Sequence, residues 1–287
     1  MEFVSVIIDS HAHAWADENR YPWVSNCTPP GFDKLVYSEA NLRAHMAKVG
    51  IDRSVIVATP IHGRGSPYLM DCLSDHPDTF LGIGVLDYFA DNIGEQLEQA
   101  FGHDGFLGVR FGATHRYESL WEDRDETVDW ITSPNLAPFW DALTNHERPQ
   151  VHLRIAPSQL SQAEQLAGAH PGVTFIIDHM AGLVPSKHDL GVSPYDRVQQ
   201  LAEYSNVYVK ISHTPSEKRY PFTDLHGLVR ELTDLFGTDR MIWGTDYAYA
   251  AERRLPWQTR EWLDELECLS KMDRRQLLGR TFDSLLD

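Results

Sequence analysis

Eight short apolar runs recur along the chain, and their alternation with longer segments constrains the fold more than any other feature of the sequence. The second run is continuous and β-branched, as expected for a strand covered on both faces. The runs are Val4 to Ile8, Ser54 to Thr59, Leu81 to Leu86, Phe106 to Phe111, Gln150 to Ile155, Val173 to His179, Val207 to Ser212 and Met241 to Asp246. Eight strands, each followed by a segment long enough for a helix, predict an α/β protein built as a (β/α)8 TIM barrel.

Helix signals in the intervening segments support this interpretation. Ser38 can cap a first helix and Gly50 can end it. Its apolar positions follow helical spacing at Leu42, Met46 and Val49. Further helical segments are Asn92 to Phe101, Ser158 to His170, Tyr195 to Tyr204 and Leu225 to Phe236. No linker or shift in composition divides the chain, so residues 1–287 are predicted to form a single barrel domain.

Two aperiodic segments are predicted to be loops over the strand ends. Residues 15–31 are rich in aromatic residues, asparagine and proline. Residues 113–148 contain an acidic stretch, Trp121 to Asp129, ahead of a predicted helix around Ala137 to Thr144. Loops at the carboxyl end of a barrel usually shape the substrate pocket, so we expect the same of these.

Charge and cysteine content exclude several classes of protein. The formal net charge is −17 and the pI is near 5.2, so the chain repels nucleic acid and acidic membranes. A basic leader and a long apolar run are both absent from the sequence, which predicts a soluble, cytoplasmic protein. Cys27, Cys72 and Cys268 are far apart and odd in number, which favours neither a disulfide framework nor a thiolate zinc site.

Two histidines, His11 and His13, follow the first apolar run. On a strand, residues i and i+2 point to the same face about 6.6 Å apart, so both rings can converge on one point. This is the geometry of half a metal site. Taken alone, the pair is also compatible with two exposed or hydrogen-bonded histidines.

Polar residues at later strand ends strengthen the metal interpretation. The period of two directs a set of side chains inward that can carry chemistry: Arg110, His152, Arg154, His179, Lys210, Ser212 and Asp246. The same parity sends Asp178 to the opposite face, where we expect it to orient a loop or cap a helix. A lone buried Asp246 would be costly, and nearby cations or a metal ion are the simplest remedy. The sequence therefore predicts a catalytic cluster at the barrel mouth.

Four motifs occur in order along the chain. They are Ile8-Asp9-Ser10-His11-Ala12-His13-Ala14-Trp15 with Tyr21-Pro22-Trp23, Ile177-Asp178-His179-Met180-Ala181-Gly182, Val209-Lys210-Ile211-Ser212 and Trp243-Gly244-Thr245-Asp246. Together they resemble the amidohydrolase superfamily, most closely its branch of sugar lactonases, pyrone-dicarboxylate lactonases and non-oxidative decarboxylases. The resemblance implies a (β/α)8 barrel with metal ligands at His11, His13, His152 and Asp246, and with His179 as a ligand or catalytic residue.

The chain also departs from the family pattern. Arg110 stands where binuclear members carry a carboxylated lysine, so the resemblance implies at most one metal ion. Some lactonases of this branch work without metal, which leaves open a mechanism in which the histidines bind the substrate directly. Tyr247-Ala248 replaces the usual Trp-Pro, and Gly279-Arg280 replaces Gly-Asn, which leaves the substrate subclass open.

Our first functional hypothesis is a lactonase with a single divalent ion, for which Zn²⁺ is expected. Three neutral imidazoles and a carboxylate around an open water position suit Zn²⁺. In this mechanism Asp246 takes the proton of water and returns it to the leaving alkoxide, while His179 and the metal polarise the carbonyl. The sequence contains no G-x-S-x-G elbow, so a covalent acyl route is not expected.

Two alternatives to a lactonase are also compatible with the sequence. A metal-dependent decarboxylase of aromatic or unsaturated acids would use the same ligands, with Asp246 or His179 delivering a proton to carbon. A non-catalytic binding barrel would have no need of an unpaired base beside potential ligands. Products alone distinguish the lactonase from the decarboxylase.

A contrast of charge predicts the kind of substrate. Arg110, Arg154 and Lys210 point inward although the chain as a whole is acidic. In the functional interpretation, Arg110 and Arg154 bind a substrate carboxylate and Lys210 assists the reacting oxygen, so the substrate is a small anionic lactone or acid. The predicted apolar walls are Trp15, Trp23 and Tyr247. The structural alternative is that these cations pair with loop carboxylates such as Glu122, Asp123 and Asp125. The oligomeric state stays open.

Overall fold

The computed structural model describes residues 6–24, 36–113 and 130–286. Within them, eight strands form one sheet in chain order, and each strand is parallel to the next. The strands are β1 (Ile8–Ala12), β2 (Arg53–Val57), β3 (Phe80–Gly84), β4 (Phe106–Gly112), β5 (Gln150–Arg154), β6 (Thr174–Ile177), β7 (Val207–Ile211) and β8 (Met241–Trp243). The predicted (β/α)8 barrel is confirmed.

Helices connect the strands and follow the last of them. They are α1 (Glu39–Val49), α2 (Pro67–Asp75), α3 (Ile93–Phe101), α4 (Ala137–Leu143), α5 (Leu160–Ala169), α6 (Arg197–Leu201), α7 (His226–Phe236), α8 (Gln258–Glu261), α9 (Lys271–Arg275) and α10 (Thr281–Asp283). Helix α1 has the predicted ends. Ser38 and Asn41 form a reciprocal capping box, and Gly50 adopts a left-handed φ of 70°.

Backbone hydrogen bonds between β1 and the chain after β8 bring the first and last strands together. The Asp246 N–H donates to the His11 carbonyl at 2.9 Å, and the His13 N–H donates to the Tyr247 carbonyl. The Thr245 amide and hydroxyl donate to the Asp9 carboxylate at 2.9 and 2.5 Å. The strand ends that carry His11, His13 and Asp246 are therefore neighbours.

An apolar cluster fills the lower barrel and leaves the carboxyl end polar. Its members are Ile8, Val55, Val57, Leu81, Ile83, Ile176, Ile242 and Phe282. A larger cluster lies between the strands and the helices and includes Val151, Leu153, Phe175 and Ile177. Membership in these two clusters shows which face of each strand points inward.

A bulge in β1 decides where its histidines point. Asp9 pairs with Ser54 and Ala12 pairs with Ile56, so β1 holds one more residue than β2 over this stretch. Ile8 therefore faces the interior below the bulge, and His11 faces it above. Strict alternation would place Asp9 inward with His11, whereas Asp9 instead bonds to Thr245 beside β8.

The predicted parity of the sixth strand is wrong. Ile176 lies in the interior cluster, whereas Phe175 and Ile177 pack against the helices, so Asp178 points into the barrel. Both faces of β6 are apolar, and apolar residues on both faces give no signal of which face is inside. Asp178 is consequently a member of the site and not a loop or helix cap.

Some sequence predictions fall partly or wholly outside the described residues. Cys72 is a buried and Cys268 a half-buried free thiol, while Cys27 lies outside the described ranges. Part of the first predicted loop and the acidic stretch Trp121 to Asp129 also lie outside them. Among the described helices, none is both long and apolar enough to cross a bilayer.

Gly108 in β4 supports a precise stability prediction. It occupies an irregularity in the pairing of β3 with β4, has a φ of 155°, and a Cβ there would lie 1.9 Å from the Gln150 carbonyl oxygen. Gly108→Ala must therefore move the backbone of β4 or β5, and we expect a loss of about 3 kcal/mol or more in the free energy of unfolding, measured by urea denaturation.

The control is Gly227→Ala, in the first turn of α7, where nothing lies within 4 Å of the added methyl. Its unfolding free energy should change by about 1 kcal/mol or less, and upward, because alanine favours the helix. Equal urea midpoints for the two variants would contradict the close approach at Gly108.

Candidate active site

Two histidines and an aspartate form a compact group at the carboxyl ends of β1 and β8. The Nε2 atoms of His11 and His13 are 3.2 Å apart, and Asp246 Oδ1 lies 3.9 and 3.5 Å from them. All three residues are buried. We refer to His11, His13 and Asp246 as the outer group. Ligands bound at about 2.0–2.1 Å around one tetrahedral ion are roughly 3.3 Å apart, close to these separations.

The backbone of β2 fixes the orientation of His13. Its Nδ1 lies 2.6 Å from the Val57 carbonyl oxygen. A carbonyl only accepts hydrogen bonds, so Nδ1 carries the hydrogen and Nε2 keeps its lone pair. That lone pair is on the side of His11 and Asp246.

Asp246 is held as an ionised carboxylate. Its Oδ2 accepts a hydrogen bond of 2.6 Å from the Thr214 hydroxyl, while Oδ1 faces the histidines. Burial alone would raise the pKa of Asp246, but the surrounding histidines, His179 foremost, hold it well below its usual range. An ionised carboxylate with one oxygen turned towards the cluster can accept a proton there.

A left-handed turn carries His179 into the site. Strand β6 ends at Ile177, and the next residues include His179, Met180 and Ala181 at φ values of 50°, 54° and 54°. The ring of His179 consequently lies 4.5 Å from that of His11, measured between centroids. The sequence predicted this location from strand parity, but the turn is the actual cause.

Ser212 is the hydrogen-bond partner of Nδ1 of His179. Its hydroxyl oxygen lies 2.8 Å from His179 Nδ1 and accepts from the Thr214 N–H at 3.4 Å. When the Ser212 hydroxyl donates to Nδ1, the ring hydrogen of neutral His179 stands on Nε2, 3.9 Å from Asp246 Oδ1. Burial, opposed by Asp246, lowers the pKa of His179 to about 3, so the ring is neutral.

A second cluster lies around the ammonium of Lys210. Lys210 is fully buried, and its Nζ lies 2.9 Å from His11 Nδ1, His152 Nδ1 and Asp178 Oδ1. We refer to His11, His152 and Asp178 as the inner group. His11 belongs to both groups, with Nε2 in the outer and Nδ1 in the inner one.

Asp178 is the buried negative charge that balances the inner group. It accepts from Lys210 through Oδ1 and from Arg110 Nε through Oδ2, the latter at 3.2 Å. Burial would raise the pKa of Asp178, but these cations and His11 hold it well below its usual range. Burial lowers the pKa of Lys210, and Asp178 opposes that shift. Buried charges paired in this way are strongly interdependent.

The predicted set of four metal ligands separates into two groups. His152 is not placed with His13 and Asp246, because the Lys210 side chain stands between His152 and His11. Its Nε2 faces Gln150 Oε1 at 3.3 Å, so both ring nitrogens have partners within the barrel. The expectation of one site formed by all four residues is therefore corrected.

The three predicted anion-binding cations occupy different places. Lys210 is fully buried, and its Nζ is enclosed by His11, His152 and Asp178, so the ammonium lies beneath the outer group and does not face a substrate pocket. Arg110 is 5% exposed and bonds to Asp178, so it too lies beneath the outer group. Arg154 is half-buried at the end of β5, and its charge contributes to the low pKa of His179. The suggested partners Glu122, Asp123 and Asp125 lie outside the described residues.

The three aromatic residues predicted to form the walls of the substrate pocket pack against other parts of the protein. Trp15 is fully buried beside Tyr37 and Tyr249, and Trp23 donates from Nε1 to the Ala16 carbonyl at 2.9 Å. Tyr247 is buried and stacks on His45 of α1 with ring centroids 4.4 Å apart, so it packs against this helix, and its contact with substrate stays a prediction. The backbone of Asp246 has a left-handed φ of 57°, and strand alternation does not continue past it.

A cavity of about 160 Å³ opens beside Asp246. Its lining residues are His213, Thr214, Ser216, Asp246, Tyr249, Ala250, Arg253 and Arg254. The Tyr249 ring is 4.8 Å from that of His13 and supplies an aromatic wall of this cavity. Most of these residues follow the ends of β7 and β8 in irregular segments, where hydrophobic periodicity carries no signal. Reading the Lys210 to Ser212 motif two residues further would have reached Thr214.

The fold and this site define a barrel enzyme whose histidine and aspartate side chains meet at the carboxyl ends of the strands, as in other TIM-barrel enzymes. A family model described as "Amidohydrolase" matches residues 8–281. The chain therefore belongs to the amidohydrolase family, and the resemblance in the sequence is confirmed.

Curated relatives are similar over most of their length. An L-fucono-1,5-lactonase of Burkholderia ambifaria is 26% identical over 246 residues, which cover 84% of this chain and 79% of the relative. A 4-sulfomuconolactone hydrolase of Hydrogenophaga intermedia is 26% identical over 263 residues, covering 86% and 77%. Both relatives are named for the hydrolysis of lactones.

Solved structures share the whole fold. A Burkholderia multivorans amidohydrolase with bound zinc superposes with a TM-score of 0.78 at 18% identity and covers 98% of both chains. A putative 2-pyrone-4,6-dicarboxylic acid hydrolase of Pseudomonas putida gives a TM-score of 0.79 at 17% identity, covering 98% of this chain and 97% of that one. A 2,6-dihydroxybenzoate decarboxylase gives 0.67 at 15% identity, covering 98% and 99%.

The inner group leads to a stability prediction for Asp178→Asn. The substitution keeps the shape but leaves Lys210 and Arg110 buried without their counter-charge, so the free energy of unfolding should fall by about 3–5 kcal/mol at pH 7. Because its folded pKa is depressed, Asp178 stabilises the protein above the unfolded pKa. The difference from wild type should therefore shrink below roughly pH 4, where the unfolded carboxyl becomes protonated.

Denaturation of the double variant Asp178→Asn/Lys210→Met provides the control. Removing one of the unmatched cations should recover part of the loss, so the two substitutions should not be additive. Additive losses with no dependence on pH would show that Asp178 does not balance Lys210.

Proposed function

We propose that this protein is a lactonase that opens a small lactone with an activated water molecule and a single divalent ion, preferably Zn²⁺. The observation that carries the proposal is the outer group: two imidazoles and an ionised carboxylate converge at one point, with a neutral His179 beside them. The lactone-hydrolysing relatives support the same reaction class.

The outer group fits a divalent ion. His13 directs its Nε2 lone pair at the group because Val57 takes its Nδ1 hydrogen. For His11, Asp178 Oδ1 lies 3.3 Å from Nδ1 and can accept a hydrogen there, which frees Nε2. Histidines that bind metal ions usually donate their other ring N–H to a backbone carbonyl or a carboxylate in this way. His11, His13 and Asp246 would thus hold the ion and leave room for water.

The inner group supports one ion rather than two. Its three potential ligand atoms lie within 4.8 Å of one another, but Lys210 Nζ is 2.9 Å from each of them. A fixed ammonium repels a divalent cation at that separation. The proposal of a single ion therefore rests on two features: the position of Lys210, and the absence of a lysine at the fourth strand.

When bound, the ion supplies a Lewis acid that makes water more acidic and polarises a carbonyl. Asp246 Oδ1 accepts the proton from the attacking water while the new C–O bond forms. Nε2–H of His179 donates to the lactone carbonyl oxygen, where negative charge develops. The ring C–O bond then breaks, and Asp246 returns the proton to the leaving alkoxide, so the products are a hydroxy acid and the unchanged carboxylate. Thr214 holds Asp246 in place through Oδ2.

The alternative reaction is a non-oxidative decarboxylation of an aromatic or unsaturated acid. The same residues would serve, with Asp246 or His179 giving a proton to carbon. A screen of lactones and aromatic carboxylic acids, with and without chelator, separates the two by their products. Carbon dioxide release without lactone hydrolysis would replace the proposed function.

Metal content is a direct test. Protein purified without chelator should carry about one divalent ion per chain, and His13→Ala should lose it because a three-residue ligand set is reduced to two. Elemental analysis gives the stoichiometry independently of activity. His103→Ala, on the loop between α3 and β4, is the matched control and should retain the ion. Metal-free wild type that is fully active in chelator would favour the direct histidine mechanism instead.

Asp246→Asn tests the proton carrier. Asparagine keeps the size of the side chain but cannot take a proton, so kcat for a hydrolysed lactone should fall by about two orders of magnitude or more. The control is Asp239→Asn, an exposed carboxylate before the opposite end of β8. Near wild-type turnover by Asp246→Asn, with the metal retained, would remove Asp246 from this role.

A further inference from the structure

Asp246 separates two regions of different character. Its Oδ1 faces the outer group and His179, whereas its Oδ2 faces Thr214 and the cavity of about 160 Å³. The chemistry proposed above rests on the Oδ1 side. The cavity on the Oδ2 side has no part in that chemistry, yet it is continuous with the carboxylate that returns the proton.

The cavity is cationic in a strongly acidic chain. Arg253 and Arg254 line it, and Asp246 is the only carboxylate among the lining residues whose side chains the structure describes. The nearby carboxylate of Asp224, which acts on Arg254, is already used: it accepts from the Ser216 hydroxyl at 2.6 Å and from the Glu217 N–H at 2.8 Å. Two guanidinium groups thus face a single carboxylate that is engaged in the reaction.

The buried Nε–H group of Arg254 has no hydrogen-bond acceptor in the described part of the chain. Arg254 Nη1 donates to the Arg253 carbonyl at 3.1 Å, but its Nε has no hydrogen-bond partner among the described residues. The guanidinium lies over the Phe222 ring, 5.1 Å from its centroid, which fixes its plane. A buried donor without a partner costs about 1–3 kcal/mol, so an acceptor is expected from outside the described chain.

His213 repeats this pattern on another wall of the cavity. It is 3% exposed, stacks on Phe222 with centroids 5.2 Å apart, and its Nδ1 has no partner among the described residues. Phe222 thus positions both His213 and Arg254. Together with Arg253, these two side chains line a space suited to an oxyanion.

We infer that the cavity lined by Arg253, Arg254 and His213 binds a carboxylate carried on the alcohol side of the lactone ring. This inference rests on the proposed function for its direction: Asp246 protonates the leaving alkoxide, so the ring carbon that bears this oxygen lies next to Asp246. A substituent on that carbon extends past Asp246 into the cavity. Arg154, beside His179, is on the acyl side.

Calorimetric binding tests the subsite without relying on turnover. The probes are the γ-lactone of α-hydroxyglutarate, whose carboxylate is on the carbon bearing the ring oxygen, and its neutral primary amide. Both are measured in an Asp246→Asn background, alone and combined with Arg254→Met, Arg254→Lys, Arg154→Met or Arg280→Met. Arg280 is an exposed arginine next to Gly279, which approaches the start of β1 at the other end of the barrel.

The acid should bind about tenfold or more tightly than the amide, as one charged hydrogen bond predicts. Arg254→Met should abolish that preference, Arg254→Lys should restore part of it, and Arg154→Met and Arg280→Met should leave it intact. Equal losses for acid and amide in Arg254→Met would mean that Arg254 only packs on Phe222. Loss of the preference in Arg154→Met instead, or no binding of the acid, would also overturn the subsite.

A separate assay of wild-type hydrolysis distinguishes this inference from the proposed function. If the probe is bound through Arg254 but no lactone is hydrolysed, the subsite stands and the lactonase assignment fails. If lactones are hydrolysed but Arg254→Met binds acid and amide as wild type does, the assignment stands and the subsite fails.

Discussion

The ammonium of Lys210, buried among His11, His152 and Asp178, is the contact on which the geometry of the site depends. It joins β7 to β1, β5 and the end of β6 through three separations of 2.9 Å. Removing one charge from such a cluster leaves the others in a low-dielectric interior without compensation. The cluster therefore fixes His11 from below, and His11 in turn fixes where the outer group can converge.

His11 links the two clusters because its two nitrogens serve different partners. One nitrogen faces the pair formed by Lys210 and Asp178, and the other faces His13 and Asp246. Which nitrogen carries the hydrogen is set by the inner partners, and that choice decides whether the outer nitrogen has a lone pair. The electrostatics beneath the site thus control what the site can bind.

Much of the fold and part of the site could be predicted from the sequence. Alternating runs gave the barrel, and parity placed His152 and Lys210 inward because their strands alternate polar with apolar residues. Parity failed at β6, whose two faces are both apolar, and it took no account of the bulge in β1. It also could not reach Tyr247, since the backbone at Asp246 leaves the strand conformation. The irregular backbone at these positions depends on hydrogen bonds to strands that are distant in the sequence. A local sequence pattern carries no information about those hydrogen bonds.

The walls of the cavity have a different origin from the proposed ion ligands. His213, Thr214 and Ser216 belong to the segment after β7, and Tyr249, Arg253 and Arg254 to the segment after β8, whereas His11 is set in a strand and held by the buried cluster. Apart from Thr214, which bonds to Asp246, residues of those two segments can be substituted to change the walls of the cavity without disturbing the charges that hold His11. Substrate preference and reaction chemistry can therefore diverge separately over evolutionary time, with one barrel serving a series of related metabolites.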